Sequence, residues 1–164
     1  MSVKLLDVTL SAAQVQGVTI SHYYWIDRLG NLTDVGGATL SAAASVPNPT
    51  DQAVVDLSQY QAVEMQIQHG ALTSLAGGKV SVAELPYDAP AAPMAGAPVV
   101  VGTTIDQTLA ATAENVRTAI VNPPTAGRVG KAAVAFICTT KPTGGTGLRI
   151  VLVGHRDGQE HARG

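Results

Sequence analysis

The chain has 164 residues, of which 46% are hydrophobic and 13% are charged, and its formal net charge is −2. A domain of this length buries roughly 70% of the surface of its unfolded chain, so it can fold without metal ions or disulfides. The near balance of 12 acidic and 10 basic residues leaves no clustered basic face, which argues against direct binding to nucleic acid.

No targeting or membrane-spanning segment is expected. In the opening stretch "MSVKLLDVTL", Asp7 interrupts the apolar run too early for the core of a signal peptide. The longest apolar runs, "AAVAFIC" and "APVVVG", are far shorter than the roughly 20 residues that span a bilayer. We therefore expect synthesis in the cytoplasm. The single cysteine, Cys138, lies in an apolar run and is predicted to be a buried hydrophobic residue.

The N-terminal third predicts two strands and a turn. Residues 3–10 and 15–26 are rich in β-favouring side chains, and "DRLGN" supplies a turn at Gly30 and Asn31. The prolines of "ASVPNPTDQ" cannot donate hydrogen bonds within a sheet, so this segment is predicted to be a loop or a sheet edge.

The middle of the chain predicts two further strands. In residues 61–68, Val63, Met65 and Ile67 alternate with polar side chains, which is typical of a half-buried strand. Residues 79–85 alternate in the same way after a segment rich in turn formers. The two strands are predicted to form an antiparallel hairpin.

Residues 85–98, "LPYDAPAAPMAGAP", contain four prolines among small residues. Such a segment is stiff and extended, with few N–H donors to offer a sheet. Two interpretations stay open: an ordinary long connection between sheets, or an arm that lies on a neighbouring subunit.

The last third predicts one short helix and three strands. Helical spacing of apolar residues in "TTIDQTLAATAENV" favours a short helix near 104–115. Residues 116–121, 131–140 and 148–156 are rich in β-branched side chains, and segments rich in Pro and Gly separate them. We predict one mainly β domain, an antiparallel β-sandwich of jelly-roll or immunoglobulin-like type over 1–156, and a polar tail at 157–164.

No catalytic, cofactor-binding or metal-binding residue is predicted. His22, His69, His155 and His161 are scattered without the spacing of a zinc motif. The chain has no GxSxG nucleophile motif and no P-loop. We therefore expect a protein that is not an enzyme. A pocket in which His22 or His69 meets a carboxylate would favour an enzyme.

The stretch "SHYYWIDRLGN" holds Tyr23, Tyr24 and Trp25, in a chain with only four Tyr, one Trp and one Phe. In a strand, Tyr23 and Trp25 share one face and Tyr24 lies on the other. The triplet is open to three interpretations: filling of the sandwich core by Tyr23 and Trp25, anchoring of a partner, or stacking on a sugar in a carbohydrate-binding module.

The chain resembles bacteriophage virion proteins. The resemblance is carried by its charge-poor composition rich in Ala, Gly, Thr and Val, by "PYDAPAAPMAGAP", and by "VDLSQYQAVEMQIQ" followed by "GGKVSVAEL". It is most similar to capsid decoration (cement) proteins, with small jelly-roll capsid proteins next. The resemblance implies a virion protein without enzymatic activity that bridges and strengthens neighbouring capsid subunits.

Its implied partners are the major capsid protein and copies of itself, in a homo-oligomer without cofactors, nucleic acid or membrane. Low charge suits this role because closely spaced copies then repel one another little. The candidate interface residues are Tyr23, Tyr24, Trp25, Pro86, Tyr87, Pro90, Pro93 and Met94.

Overall fold

The computed structural model describes residues 2–37, 40, 47–60, 62–70, 78–85, 100, 102–109, 114–121, 130–142 and 147–156. For 102–104 and 114–121 the description is of the main chain. The candidate residues Pro86, Tyr87, Pro90, Pro93 and Met94 and the tail at 157–164 lie outside the described residues.

The described residues form strands and one short helix. In chain order these are β1 (Ser2–Leu10), α1 (Ala12–Gln16), β2 (Tyr23–Ile26), β3 (Leu32–Asp34), β4 (Val54–Asp56), β5 (Ala62–His69), β6 (Lys79–Leu85), β7 (Gly102–Thr108), β8 (Glu114–Val121), β9 (Lys131–Ile137) and β10 (Leu148–His155). No helix among the described residues is long and apolar enough to cross a membrane.

The strands build two antiparallel sheets. The four-stranded sheet has the order β1-β10-β5-β8. The six-stranded sheet has the order β3-β2-β9-β6-β7, with β4 also paired to β9. One hydrophobic cluster contains side chains from both sheets. The predicted antiparallel β-sandwich is therefore confirmed.

The main core lies between the two sheets and follows the two-residue period of the strands. The four-stranded sheet contributes Leu152 of β10 and Met65 of β5, and the six-stranded sheet contributes Val134 and Phe136 of β9. Each of these four side chains has a relative exposure of 0%. Full burial of side chains of this size stabilises a fold by about 1.5–3 kcal/mol each.

Strand β9 is apolar on both faces. Its even-numbered residues reach the core between the sheets, whereas Ala133 and Ala135 belong to a second cluster on the outer face of the six-stranded sheet. That cluster also contains Trp25, Val35, Leu40, Ala83, Leu85 and Val100. A strand covered on both faces reads as a continuous hydrophobic run, which explains the stretch "AAVAF". Cys138, just after β9, is 1% exposed, as predicted.

The predicted hairpin of 61–68 with 79–85 is wrong. Strand β5 pairs with β10 and β8, whereas β6 pairs with β9 and β7 in the other sheet. Alternation gave the strands but not their partners, because a strand that switches sheets has the same period as one that turns back. It also gave only one face of β6, since Ser81, Ala83 and Leu85 on the other face are buried too.

The helix predicted near 104–115 is also wrong, because residues 102–108 form β7 and 114–121 form β8. Ile105 and Leu109 are both buried. A spacing of four residues fits a helix but also places two side chains on the same face of an extended chain. The β-branched residues Thr103, Thr104 and Thr108 favour the strand, and pairing with β6 completes it.

The strand predicted for 15–26 begins at Tyr23, and part of the preceding segment is α1. The Ser11 hydroxyl accepts a hydrogen bond from the Gln14 N–H, and the Gln14 side chain accepts one from the Ser11 N–H. This capping box satisfies two N–H groups at the start of the helix.

Candidate functional site

Strands β2 and β3 form a hairpin that carries the aromatic triplet. Tyr24 pairs with Asp34, Trp25 with Thr33 and Ile26 with Leu32. On its other side β2 pairs with β9 at the centre of the six-stranded sheet. The triplet is therefore held on a paired strand, and a five-residue turn at 27–31 projects beyond it.

The two faces of β2 serve two different clusters. Tyr24 and Ile26 pack in the core between the sheets, while Tyr23 and Trp25 belong to the outer cluster. The predicted alternation is confirmed. The core-filling interpretation is corrected in its location. Trp25 is buried in the outer cluster and not between the sheets, because the pairing of Ile26 with Val134 sets the even-numbered residues facing inward.

Trp25 is a core residue of the outer cluster. Its side chain is 1% exposed, and its indole Nε1 donates a hydrogen bond of 2.9 Å to the carbonyl oxygen of Pro47. Both its apolar surface and its polar group are thus used within the chain. The indole is not open to a sugar ring in this fold, and a triplet of stacking rings is not formed.

Tyr23 is partly exposed and lies beside a polar network across β6 and β7. The Ser81 hydroxyl donates to Asp106 Oδ1 at 2.7 Å, and Lys79 Nζ lies 3.2 Å from Asp106 Oδ2. Burial, and next the negative charge of Asp106, raise the pKa of Tyr23. The phenol is therefore a neutral donor or acceptor at physiological pH, next to one ammonium and one carboxylate.

His22 meets a carboxylate, which is one part of the feature that would favour an enzyme, and the two side chains are 34% and 44% exposed. Its Nδ1 lies 3.1 Å and 3.0 Å from the two oxygens of Asp34, and Asp34 Oδ1 also accepts from the Gly36 N–H at 2.7 Å. The Gly36 N–H first, and His22 second, lower the pKa of Asp34. A carboxylate in this position orients an imidazole, as a general base requires.

The described residues give this pair no nucleophile. No Ser, Thr or Cys side chain among them is hydrogen-bonded to His22. Burial raises the pKa of the Cys138 thiol to about 12, so this side chain is not a thiolate at neutral pH. In the part of the chain that the structure describes, no three His, Cys, Asp or Glu side chains could hold a metal ion.

Two other histidines, His69 and His155, are hydrogen-bonded or ion-paired to groups at or near the four-stranded sheet. His69 is buried, and its Nδ1 donates to the Gly70 carbonyl oxygen at 2.6 Å. His155 lies on the outer face of the four-stranded sheet, with Nδ1 3.0 Å from the Ser2 hydroxyl and Nε2 3.4 Å from Glu64 Oε2. Both rings are held within the sheet.

The turn after β2 is held by several hydrogen bonds to Asp27. Asp27 is 9% exposed, and its Oδ1 accepts from the N–H groups of Leu29 and Asn31 at 2.9 Å and 2.8 Å. Gly30 has φ +83°, a left-handed conformation that glycine adopts without strain. The Gln14 side chain donates to the Gly30 carbonyl oxygen at 2.7 Å.

At the tip of this turn, Leu29 is 71% exposed and is the exposed large hydrophobic residue of the described chain. The sequence predicted the turn from Gly30 and Asn31 but did not single out Leu29. A leucine where turns normally carry polar residues was the signal that could have found it.

No protein-family model matches the chain, and no curated protein sequence matches it. Among solved structures it is similar to the carbohydrate-binding module from Cellvibrio mixtus lichenase 5A in complex with cellotriose, with 13% identity over 93% of this chain and 98% of that chain and a TM-score of 0.35. It is also similar to a chain of the native virion of Kashmir bee virus at neutral pH, with 10% identity over 94% of this chain and 72% of that chain and a TM-score of 0.39. Likenesses this distant assign no function to this chain.

Proposed function

We propose that this chain is a non-enzymatic virion structural protein, a homo-oligomeric decoration subunit that bridges neighbouring subunits of a bacteriophage capsid. The observation that carries the proposal is that several of the chain's few charged groups are paired with one another in the described part of the structure. A surface with little unpaired charge allows copies to pack closely, as a lattice requires.

The four-stranded sheet gives the clearest example. Arg149 donates two parallel hydrogen bonds to Asp7, at 3.0 Å and 2.9 Å, and Lys4 Nζ lies 2.9 Å from the same carboxylate. On the other sheet, Lys79 is paired with Asp106. Such pairs contribute little to stability at a surface but remove isolated charges from it.

The fold also suits a mechanical role. Hydrophobic clusters lie on both faces of β9, so the six-stranded sheet is stiffened from both sides. A rigid subunit that repeats over a lattice binds through many modest contacts, and avidity then replaces high affinity at any single contact.

The test is the solution mass by light scattering over a wide concentration range, followed by electron microscopy of any assemblies. A stable trimer or larger assembly is the expected result. A strict monomer that forms no assembly at high concentration would remove the main support for the proposal.

Carbohydrate binding is the second candidate function, and the partial exposure of Tyr23 beside Lys79 and Asp106 favours it. An aromatic ring flanked by charged hydrogen-bonding groups can bind a sugar by stacking and by polar contacts. Titration with cellotriose by calorimetry tests it. Binding that is lost in Tyr23→Ala and retained in Tyr24→Ala, with both variants folded, would favour this function over assembly.

A further inference from the structure

The turn at 27–31 presents one exposed apolar side chain on an immobilised main chain. Two main-chain hydrogen bonds add to those of the Asp27 carboxylate. The Gly30 N–H donates to the Asp27 carbonyl oxygen at 3.0 Å, and the Asp27 N–H donates to the Asn31 carbonyl oxygen at 3.1 Å. A loop whose main chain is fixed before binding loses less conformational entropy when it binds. This geometry is suited to an anchor residue, and Leu29 occupies that position.

Two charged residues lie close to Leu29 along the chain or across a main-chain bond: Arg28 precedes it, and the Arg28 N–H donates to the carbonyl oxygen of Gln52, which follows Asp51. The Arg28 side chain donates to two main-chain carbonyl oxygens, those of Gln52 at 3.1 Å and Val54 at 2.9 Å. Asp51 is exposed and adjoins Gln52 in the chain. Neither Arg28 nor Asp51 has an ion-pair partner within the described part of the chain, in contrast to Asp7 and Asp106.

We propose that this tip, made of Arg28, Leu29 and Asp51, is a contact with a second copy of the chain. In a two-fold arrangement the two Leu29 side chains meet on the axis, and Arg28 of each copy faces Asp51 of the other. One cation and one anion beside an apolar anchor make the patch complementary to itself, which is the condition for such an interface.

The contact is small, because it is formed by one turn and its neighbouring segment. Interfaces that bury less than about 1,200 Å² are weak and transient. The proposal rests on the proposed function to the extent that both require copies of the chain to meet, and a weak tip contact would act together with others in a lattice.

Sedimentation of the full chain tests the contact through Leu29→Ser and Asp51→Lys. Both side chains are exposed, and neither makes a hydrogen bond within the described part of the chain. Each variant is expected to weaken self-association by about tenfold or more, as the loss of a central anchor or the reversal of an ion pair does. Thr33→Ser, on the exposed part of β3, is the matched control and should associate like the parent chain.

A charge swap makes the test specific. Arg28→Glu chains and Asp51→Lys chains should each associate poorly alone, whereas a mixture of the two should associate as the parent does. If Arg28→Glu fails to fold because its bonds to Gln52 and Val54 are lost, Leu29→Ser and Asp51→Lys still decide the outcome.

The failure of this contact is distinguishable from the failure of the assembly proposal. If the parent chain associates and both exposed variants associate equally well, the tip contact is overturned and the assembly proposal stands. If the parent is a monomer by mass, Leu29→Cys chains under a mild oxidant decide the matter. Dimers that form faster than those of Thr33→Cys support the tip contact alone, and equal rates overturn it.

Discussion

The indole of Trp25 is hydrogen-bonded to the carbonyl oxygen of Pro47, with 2.9 Å between Nε1 and the oxygen. This bond joins the outer face of the six-stranded sheet to the segment that follows residue 46, and Pro49 in that segment is buried. The most conspicuous aromatic residue of the sequence therefore stabilises a second core.

Trp25→Ala is expected to lower the free energy of unfolding by about 3–5 kcal/mol, because a large buried side chain is lost and a cavity is left. Trp25→Phe should cost about 1–3 kcal/mol, since the Pro47 carbonyl oxygen then lacks its donor. Urea unfolding measures both. Leu29→Ala is the control, because the loss of apolar atoms from an exposed side chain should change stability by less than about 0.5 kcal/mol. A Trp25→Ala chain as stable as the parent would contradict the burial of Trp25.

The sequence predicted the strands more reliably than their neighbours. Alternation identified the buried face of β5 and the inward face of β6, but nothing local distinguishes a pairing of β6 with β5 from its actual pairing with β9. Trp25 gives a second example. Its position on the same face of β2 as Tyr23 was predictable, but its burial on the outer face of the sheet was not. That burial depends on residues distant in sequence, such as Val35 and Val100.

The site was predictable only in part, for a related reason. Tyr23, Tyr24 and Trp25 were found because aromatic residues are rare in this chain. Leu29 was missed because its exposure depends on the folded turn, although a leucine at a turn position was a signal in the sequence. The pair of His22 and Asp34 depends on the register of β2 with β3.

Gly154→Ala is expected to destabilise the fold through Tyr60. A Cβ built on Gly154 would lie 2.5 Å from the Tyr60 ring, which also packs under the Arg156 guanidinium at 5.3 Å from its centroid. Forcing an extra methyl group into such a contact costs about 1–3 kcal/mol. Thermal unfolding monitored by circular dichroism measures the loss.

Gly37→Ala is the matched control for this substitution. Its added Cβ would meet the His22 ring at no less than 3.7 Å, an ordinary van der Waals distance. If both variants unfold at the same temperature, the close packing of Tyr60 on Gly154 is wrong.

Ser21→Gly is expected to stabilise the chain. Ser21 has φ +64°, in the left-handed region that costs a residue with a side chain roughly 1–2 kcal/mol. Its N–H donates to the Cys138 carbonyl oxygen at 2.8 Å, a bond that glycine keeps. Glycine also loses more entropy on folding, so the net gain should be below about 1 kcal/mol. Thr33→Gly, in a strand, should instead destabilise, and urea unfolding of the two variants gives the comparison. Equal losses in both would contradict the strain at Ser21.

The ion pair on the four-stranded sheet should make stability depend on pH. Hydrogen bonds from Arg149 first, and from Lys4 second, hold the pKa of Asp7 well below its ordinary range. Because the folded chain releases this proton more readily than the unfolded chain, the stabilisation is complete above the unfolded pKa of about 3.9 and is lost as the pH falls below it.

Asp7→Asn should therefore reduce the free energy of unfolding near neutral pH by less than about 1 kcal/mol, since the pair is partly exposed and screened by water. The difference from the parent chain should shrink as the pH falls from about 6 to about 2. Urea unfolding at a series of pH values measures it, and added salt should reduce it further. Thr33→Ser, at an exposed position of β3 that carries no titrating group, is the control and should show no comparable trend. A difference for Asp7→Asn that grows towards low pH would mean that the pair with Arg149 does not stabilise the folded state.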